Sequence, residues 1–172
     1  GARLVEVSSL TGAGFPELVE TIARVADEVE EAADIGIFRL PVDRVFTMKG
    51  FGTVVTGTLV SGKVALGEEV EISPIGLKAK VRGIQVHNLA VDTAEAGQRT
   101  AINLQGVDRA AIERGYLLTA PDTLAASRRL DCVYRHLAGA ARKLKNRTLV
   151  RFHTGTSEVM ARVILLGSEE LE

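Results

Sequence analysis

From Ile35 onward, short runs rich in Val, Ile, Thr and Phe are cut by glycine turns, and this punctuation constrains the fold more than any other feature. The turns are Lys49-Gly50-Phe51-Gly52, Ser61-Gly62-Lys63, Leu66-Gly67-Glu68 and Pro74-Ile75-Gly76. Between them Lys78-Ala79-Lys80-Val81-Arg82 alternates polar with apolar, which predicts a strand with one wet face. Strands this short, with turns about every 8–12 residues, argue for a closed β-barrel rather than an open sheet. Asp108 is a good N-cap for a helical turn running to Arg114, and Gly115 would end it.

The two flanks read differently. Leu4 to Val7 is a short apolar run, predicted as a strand, followed by the hydroxyl- and glycine-rich loop Ser8-Ser9-Leu10-Thr11-Gly12-Ala13-Gly14. Pro16 suits a first helical turn, and Phe15, Leu18, Val19, Ile22, Val25, Ala26 and Val29 then recur at helical spacing. Strand, loop and amphipathic helix are too little for a domain, so residues 1–34 are expected to be the tail of a larger α/β unit. At the other end, Thr119 to Ser127, with Pro121, reads as a linker. Leu130, Cys132 and Tyr134 alternate with more polar neighbours and predict a strand with Cys132 buried and inert. Thr148 to His153 and Val159 to Leu166 predict two more strands. Residues 35–121 are thus expected to form one barrel and residues 122–172 part of a second.

Charge is distributed unevenly along the chain. Residues 1–34 hold two arginines against eight acids, although the whole chain is close to neutral at −1. Between Arg128 and Arg151 stand Arg128, Arg129, Arg135, Arg142, Lys143, Lys145, Arg147 and Arg151 against the single acid Asp131. Such a block suits a phosphate-rich partner, with a solvated face as the bland alternative. The sequence has no apolar run approaching the roughly 18 residues of a membrane helix and opens on no targeting signal, so a cytoplasmic protein is expected. Cys132 is the one cysteine, and His87, His136 and His153 have no metal-ligand spacing with carboxylates, so no metal site is expected. No G-x-x-x-x-G-K-[ST] loop, nucleophile elbow or carboxylate dyad is present. Gly50, Gly52 and Gly57 superficially suggest a phosphate loop, but they sit among β-branched residues and read as hairpin turns. No catalytic residue is expected in this chain.

A family resemblance extends across the chain. Leu40-Pro41-Val42-Asp43-Arg44-Val45-Phe46, the hairpin Gly50-Phe51-Gly52-Thr53-Val54-Val55-Thr56-Gly57, and Gly67-Glu68-Glu69-Val70-Glu71-Ile72 resemble the opening of domain II of translational GTPases. Ala96-Gly97-Gln98-Arg99 and Asp108 to Gly115 continue it. The loop Ser8-Ser9-Leu10 resembles the last guanine-contacting motif of the GTP-binding domain, and Arg151 to Val159 resembles the domain III of selenocysteine-specific elongation factors. The implied fold is mainly β: a remnant of an α/β GTP-binding domain (1–34), a domain II barrel (35–121) and a partial domain III barrel (122–172).

Within the superfamily, two positions single out the selenocysteine-specific branch. Elongation factor Tu has an acidic pair where this chain has Asp43-Arg44, and an asparagine where it has Arg99. The resemblance places Asp43, Arg44 and Arg99 in the pocket for the aminoacyl group. A selenol is far more acidic than a hydroxyl or a thiol, so selenocysteine is largely an anion at neutral pH, and two permanent guanidiniums favour it. Asp43 could orient one guanidinium or accept from the free α-amino group. One such contact at about 4 Å is worth roughly 4 kcal/mol at an effective dielectric of ~20, before desolvation. A neutral seryl group would leave the like charges uncompensated.

The resemblance further implies that Arg142, Lys143, Lys145, Arg151 and His153 meet tRNA backbone phosphates, contacts that position without specifying sequence. It implies GTP and Mg²⁺ on a phosphate loop and switch regions outside this chain. It also implies a monomer that binds selenocysteyl-tRNA and the ribosome, and a messenger-RNA recoding hairpin held by further C-terminal domains. Phe51 stands at a turn position that is often basic in elongation factor Tu. Two alternatives stay open at this point. One is another translational GTPase, such as elongation factor Tu or an initiation-factor γ subunit; the other is a non-translational GTPase using the same barrel for protein contacts.

Overall fold

The computed structural model describes residues 3–28, 36–137, 139–140 and 142–171. The chain separates into two compact units, Gly1–Ala33 and Asp34–Glu172. Among its described residues the first holds one helix, α1 (Phe15–Glu28). In the loop before it, Ser8 N–H donates to Ala13 O and Gly12 N–H to Ser8 O (3.0 and 2.9 Å). Arg3 reaches Glu28 at 3.0 Å. The strand predicted at Leu4 to Val7 is not formed, because no neighbouring strand completes its hydrogen bonds. Phe15, Val19, Ile22 and Val25 lie along one exposed face of α1.

The second unit is built from antiparallel strands. They are β1 (Arg39–Pro41), β2 (Arg44–Met48), β3 (Gly52–Thr58), β4 (Lys63–Ala65), β5 (Glu69–Ser73), β6 (Leu77–Val86), β7 (Leu89–Val91), β8 (Thr93–Glu95), β9 (Arg99–Gln105) and β10 (Leu117–Thr119). One eight-stranded sheet runs β1-β10-β5-β6-β9-β3-β2, with β7 on β6, while β4 pairs with β8. The sheet curls back on itself: Arg39 exchanges backbone hydrogen bonds with Ser61 (3.0 Å) and Val60 (2.9 Å), just past β3. Inside the curl, Leu40, Val42, Val55, Leu59, Ile72, Val81, Ile102, Leu104, Ile112 and Leu118 form one buried cluster.

Local sequence explains most of these strands. Gly50, Gly62, Gly67 and Gly76 have φ between 67° and 85°, the left-handed region that only glycine adopts without strain. In β6, Ala79 and Val81 are buried while Lys78, Lys80 and Arg82 are exposed, as the alternation predicts. The register then shifts between Val81 and Gly83, so that Ile84 and Val86 become the inward pair. Gly57 is different. It lies within β3, and an added Cβ there would strike the Pro41 carbonyl oxygen. Glycine is required by the close approach of β1, not by a turn.

The predicted helical turn after Asp108 is a single 3-10 turn, Arg109–Ala111, with the Asp108 carboxylate accepting from Ala110 N–H at 2.9 Å. It stops early because Ile112, 2% exposed, is drawn into the core in an extended conformation.

Beyond residue 120, four further strands form two pairs. β11 (Leu144–Lys145) pairs with β14 (Glu170–Leu171), and β12 (Leu149–Thr154) with β13 (Ser157–Arg162). The last predicted strand is therefore shorter and begins earlier than Val159 to Leu166. Residues 130–135 are not a strand, and Cys132 is exposed rather than buried. Alternation there finds no partner strand, so neither the ladder nor the burial follows. Among the described residues, no helix is long and apolar enough to cross a membrane.

Two substitutions test this packing. Ile102→Ala, at a fully buried site on β9, should lower unfolding free energy by about 2–5 kcal/mol. Gly57→Ala should destabilise comparably while leaving the denaturant m-value unchanged, since β1 must move away from β3. Urea titration checks both.

Candidate functional site

The junction between β1 and β2 sets the geometry of the site. Val42 is fully buried, its N–H donating to Tyr116 O (2.8 Å) and its carbonyl accepting from Gly115 N–H (2.9 Å). Asp43 follows, and its N–H donates to Thr56 O at 2.9 Å. The Asp43 side chain is only 17% exposed. One carboxylate oxygen accepts from the Thr56 hydroxyl at 2.8 Å, and the other pairs with the Arg99 guanidinium. Arg99 opens β9, opposite Thr58 of β3, so the β2-β3-β9 ladder brings the two charged residues together across the sheet.

Burial alone would raise the Asp43 carboxyl. The hydrogen bonds from Arg99 and Thr56, with the charges of Arg99 and Arg44, outweigh it and hold the group below the ordinary aspartate value. With Arg99 half exposed, the pair adds little stability, on the order of 0–1 kcal/mol; its importance is positional.

Arg44 projects beside this pair as the exposed first residue of β2. It lines an open groove of about 510 Å³ with Asp43, Phe46, Arg109, Glu113 and Arg114. Arg114 also lines a second groove, of about 460 Å³, with His153 and the turn Gly155–Glu158. The two depressions therefore share one residue.

The remaining predicted residues lie in separate places. Arg142, Lys143 and Lys145 are exposed around β11, with Lys143 3.4 Å from Glu170. Arg151 and His153 are exposed on one face of β12, both facing Glu158 of β13, at 3.4 and 3.8 Å. Arg162 joins that face opposite Leu149. Ser8, Ser9 and Leu10 lie in a loop of the first unit, Ser8 half-buried and the other two exposed. Sequence reasoning singled out Asp43, Arg44 and Arg99 but did not name Thr56, Arg109, Glu113, Arg114 or Arg162. Thr56 lies within the motif Gly50 to Gly57, Arg109, Glu113 and Arg114 within Asp108 to Gly115, and Arg162 within the predicted strand Val159 to Leu166.

The profile of the family described as elongation factor Tu domain 2 matches residues 52–119. A selenocysteine-specific elongation factor of Desulfomicrobium baculatum is 49% identical over all 172 residues. The chain belongs to the selenocysteine-specific elongation factor (SelB) family. It spans 27% of the length of that relative. The crystal structure of a bacterial selenocysteine-specific elongation factor is 36% identical, with a TM-score of 0.65 over 70% of this chain and 21% of that one. Translation elongation factor SelB from Methanococcus maripaludis, crystallised with the GTP analogue GppNHp, is 28% identical, with a TM-score of 0.74 over 99% of this chain and 39% of that one. The likeness thus reaches beyond the barrel into both flanks.

The lowered Asp43 carboxyl has a signed consequence. Its contribution to stability is present above the unfolded-state value and is lost as pH falls through the ordinary aspartate range towards the depressed folded value. Asp43→Asn should remove that part of the acid limb and leave the neutral-pH limb unchanged, measured by thermal melts as a function of pH.

Proposed function

We propose that this chain forms the tRNA-binding middle section of a selenocysteine-specific elongation factor. In the full-length protein it delivers selenocysteyl-tRNA to the ribosome at recoded UGA codons in a GTP-dependent manner. On this reading residues 35–121 are domain II, residues 122–172 open domain III, and residues 1–34 close the GTP-binding domain, with Ser8 to Leu10 near the guanine. GTP, Mg²⁺ and the messenger-RNA hairpin engage other parts of a cytoplasmic, monomeric protein.

One observation carries the reading: the half-buried Asp43 carboxylate, clamped by Arg99 and Thr56, stands beside the exposed Arg44 at the edge of a groove. Selenocysteine esterified to tRNA offers an ammonium group and a selenolate. The ammonium takes a carboxylate oxygen of Asp43, and the selenolate takes the guanidiniums of Arg44 and of Arg99, released from its partner. The zwitterionic ligand leaves the cluster's net charge at the +1 it has without ligand, and Arg99 exchanges one anionic partner for another. A seryl group supplies the ammonium alone, leaving Arg99 without an anion. Covered by the aminoacyl group, a guanidinium left without an anion costs about 1–3 kcal/mol, enough for about fivefold to more than a hundredfold discrimination. The shared position of Arg114 lets one acceptor end run from this groove past the turn Gly155–Glu158. There the exposed Arg151, His153 and Arg162, with Arg142, Lys143 and Lys145, meet backbone phosphates.

The decisive measurement compares dissociation constants for selenocysteyl-tRNA and seryl-tRNA on the same tRNA body, with GTP and at one salt concentration. A ratio beyond roughly 100-fold, about 2.7 kcal/mol, is expected, and Arg44→Ala or Arg99→Ala should collapse it. Equal affinities in the unmodified protein would overturn the reading. Arg151→Ala with Arg162→Ala should instead weaken both ligands alike and flatten the salt dependence, by roughly 0.7–0.9 in log–log slope for each phosphate no longer neutralised.

A further inference from the structure

The strand pair β12–β13 meets the barrel at its tip. Its tip, Gly155-Thr156, lies against the β1–β2 junction, where an added Cβ on Gly155 would meet the Pro41 ring at 3.3 Å. The Thr156 hydroxyl donates to the Val42 carbonyl at 2.6 Å. On the far side, a Cβ on Gly115, at φ +98°, would come within 3.0 Å of Ser157. The fit is close enough that glycine stands at both contacts.

Val42 O is therefore shared by two donors, Gly115 N–H from the barrel and the Thr156 hydroxyl from the hairpin. That carbonyl belongs to the same peptide plane as Asp43 N–H, which donates to Thr56 O. Peptide planarity couples the two ends, so turning one turns the other. In the orientation this plane sets, the side chain leaving from Asp43 reaches Arg99 and the Thr56 hydroxyl.

We infer that Thr156 is a positioning residue for the Asp43 carboxylate: its hydroxyl fixes the Val42–Asp43 peptide, so that the seating of the β12–β13 tip is transmitted to the ion pair with Arg99. Thr156 does not line the groove that holds Asp43 and Arg44. Through it, a displacement of the hairpin by a long RNA on its exposed basic face loosens or tightens a carboxylate in a different depression. Its effect on amino-acid discrimination rests on the function proposed above, whereas its effect on Asp43 does not.

The charged groups around Asp43 are Arg99 and Arg44, with Arg109, Glu113 and Arg114 along the groove. Of these only Arg114 also borders the groove that Thr156 lines, and Arg99 and Arg44, the charges acting on Asp43, do not. Carbon-detected NMR titration of that carboxyl should show a higher pKa in Thr156→Val and Thr156→Ala than in the unmodified protein. Thr156→Ser should restore the original value. In the full-length protein with GTP, Thr156→Val should also reduce the selenocysteyl-to-seryl affinity ratio roughly fivefold, the worth of one hydrogen bond, while Thr156→Ser retains it. An Asp43 titration unmoved in both Thr156→Val and Thr156→Ala would overturn the inference. If the unmodified protein fails to discriminate, the proposed function falls, and the titration still decides the role of Thr156.

Discussion

The buried carbonyl of Val42 is where barrel, groove and hairpin are tied together. It accepts the Gly115 N–H that closes the chain after the 3-10 turn, and the Thr156 hydroxyl that seats β12–β13. A buried carbonyl without these donors would forfeit about 1–3 kcal/mol, so the junction has little freedom to rearrange alone. Asp43 inherits that rigidity, and with it the groove inherits a carboxylate of fixed direction. The charged residues themselves contribute little to stability; they are held by apolar packing of Leu40, Val42, Ile112 and Leu118 beneath them.

On the function proposed, that division of labour lets a half-exposed ion pair serve a selective site. Arg99 and Asp43 satisfy each other when no ligand is present, with Thr56 holding the second carboxylate oxygen. In that proposal a ligand carrying both a cation and an anion exchanges with the pair at small electrostatic cost, while one carrying only a cation leaves a guanidinium uncompensated. Selectivity then comes from what the wrong ligand leaves unpaired.

How far the sequence could be read depended on how local each signal was. Glycine turns at Gly50, Gly62, Gly67 and Gly76 are visible because a positive φ is a property of one residue. The wet face of Lys78, Lys80 and Arg82 is visible because alternation is a property of one strand. Gly57 was misleading, since its need for glycine arises from Pro41 on another strand. Leu130 to Tyr134 shows the converse error: the pattern alternates, but a strand exists only where another strand pairs with it, and Cys132 is left exposed. For the site, Asp43 and Arg44 adjoin in sequence, whereas Arg109 and Arg114 stood out only as parts of a motif.

The sequence by itself determined the β-rich class, the positions of the turns, the basic run towards the end and the kinship with translational GTPases, because each is carried by neighbouring residues or by an ordered motif. Tertiary structure alone decided that Arg99 reaches Asp43, that Arg114 borders two grooves, and that Thr156 bonds to Val42. Those contacts join residues far apart in the chain. Sheet register and the curl of the barrel set their distances, and neither is encoded in the spacing of the residues concerned.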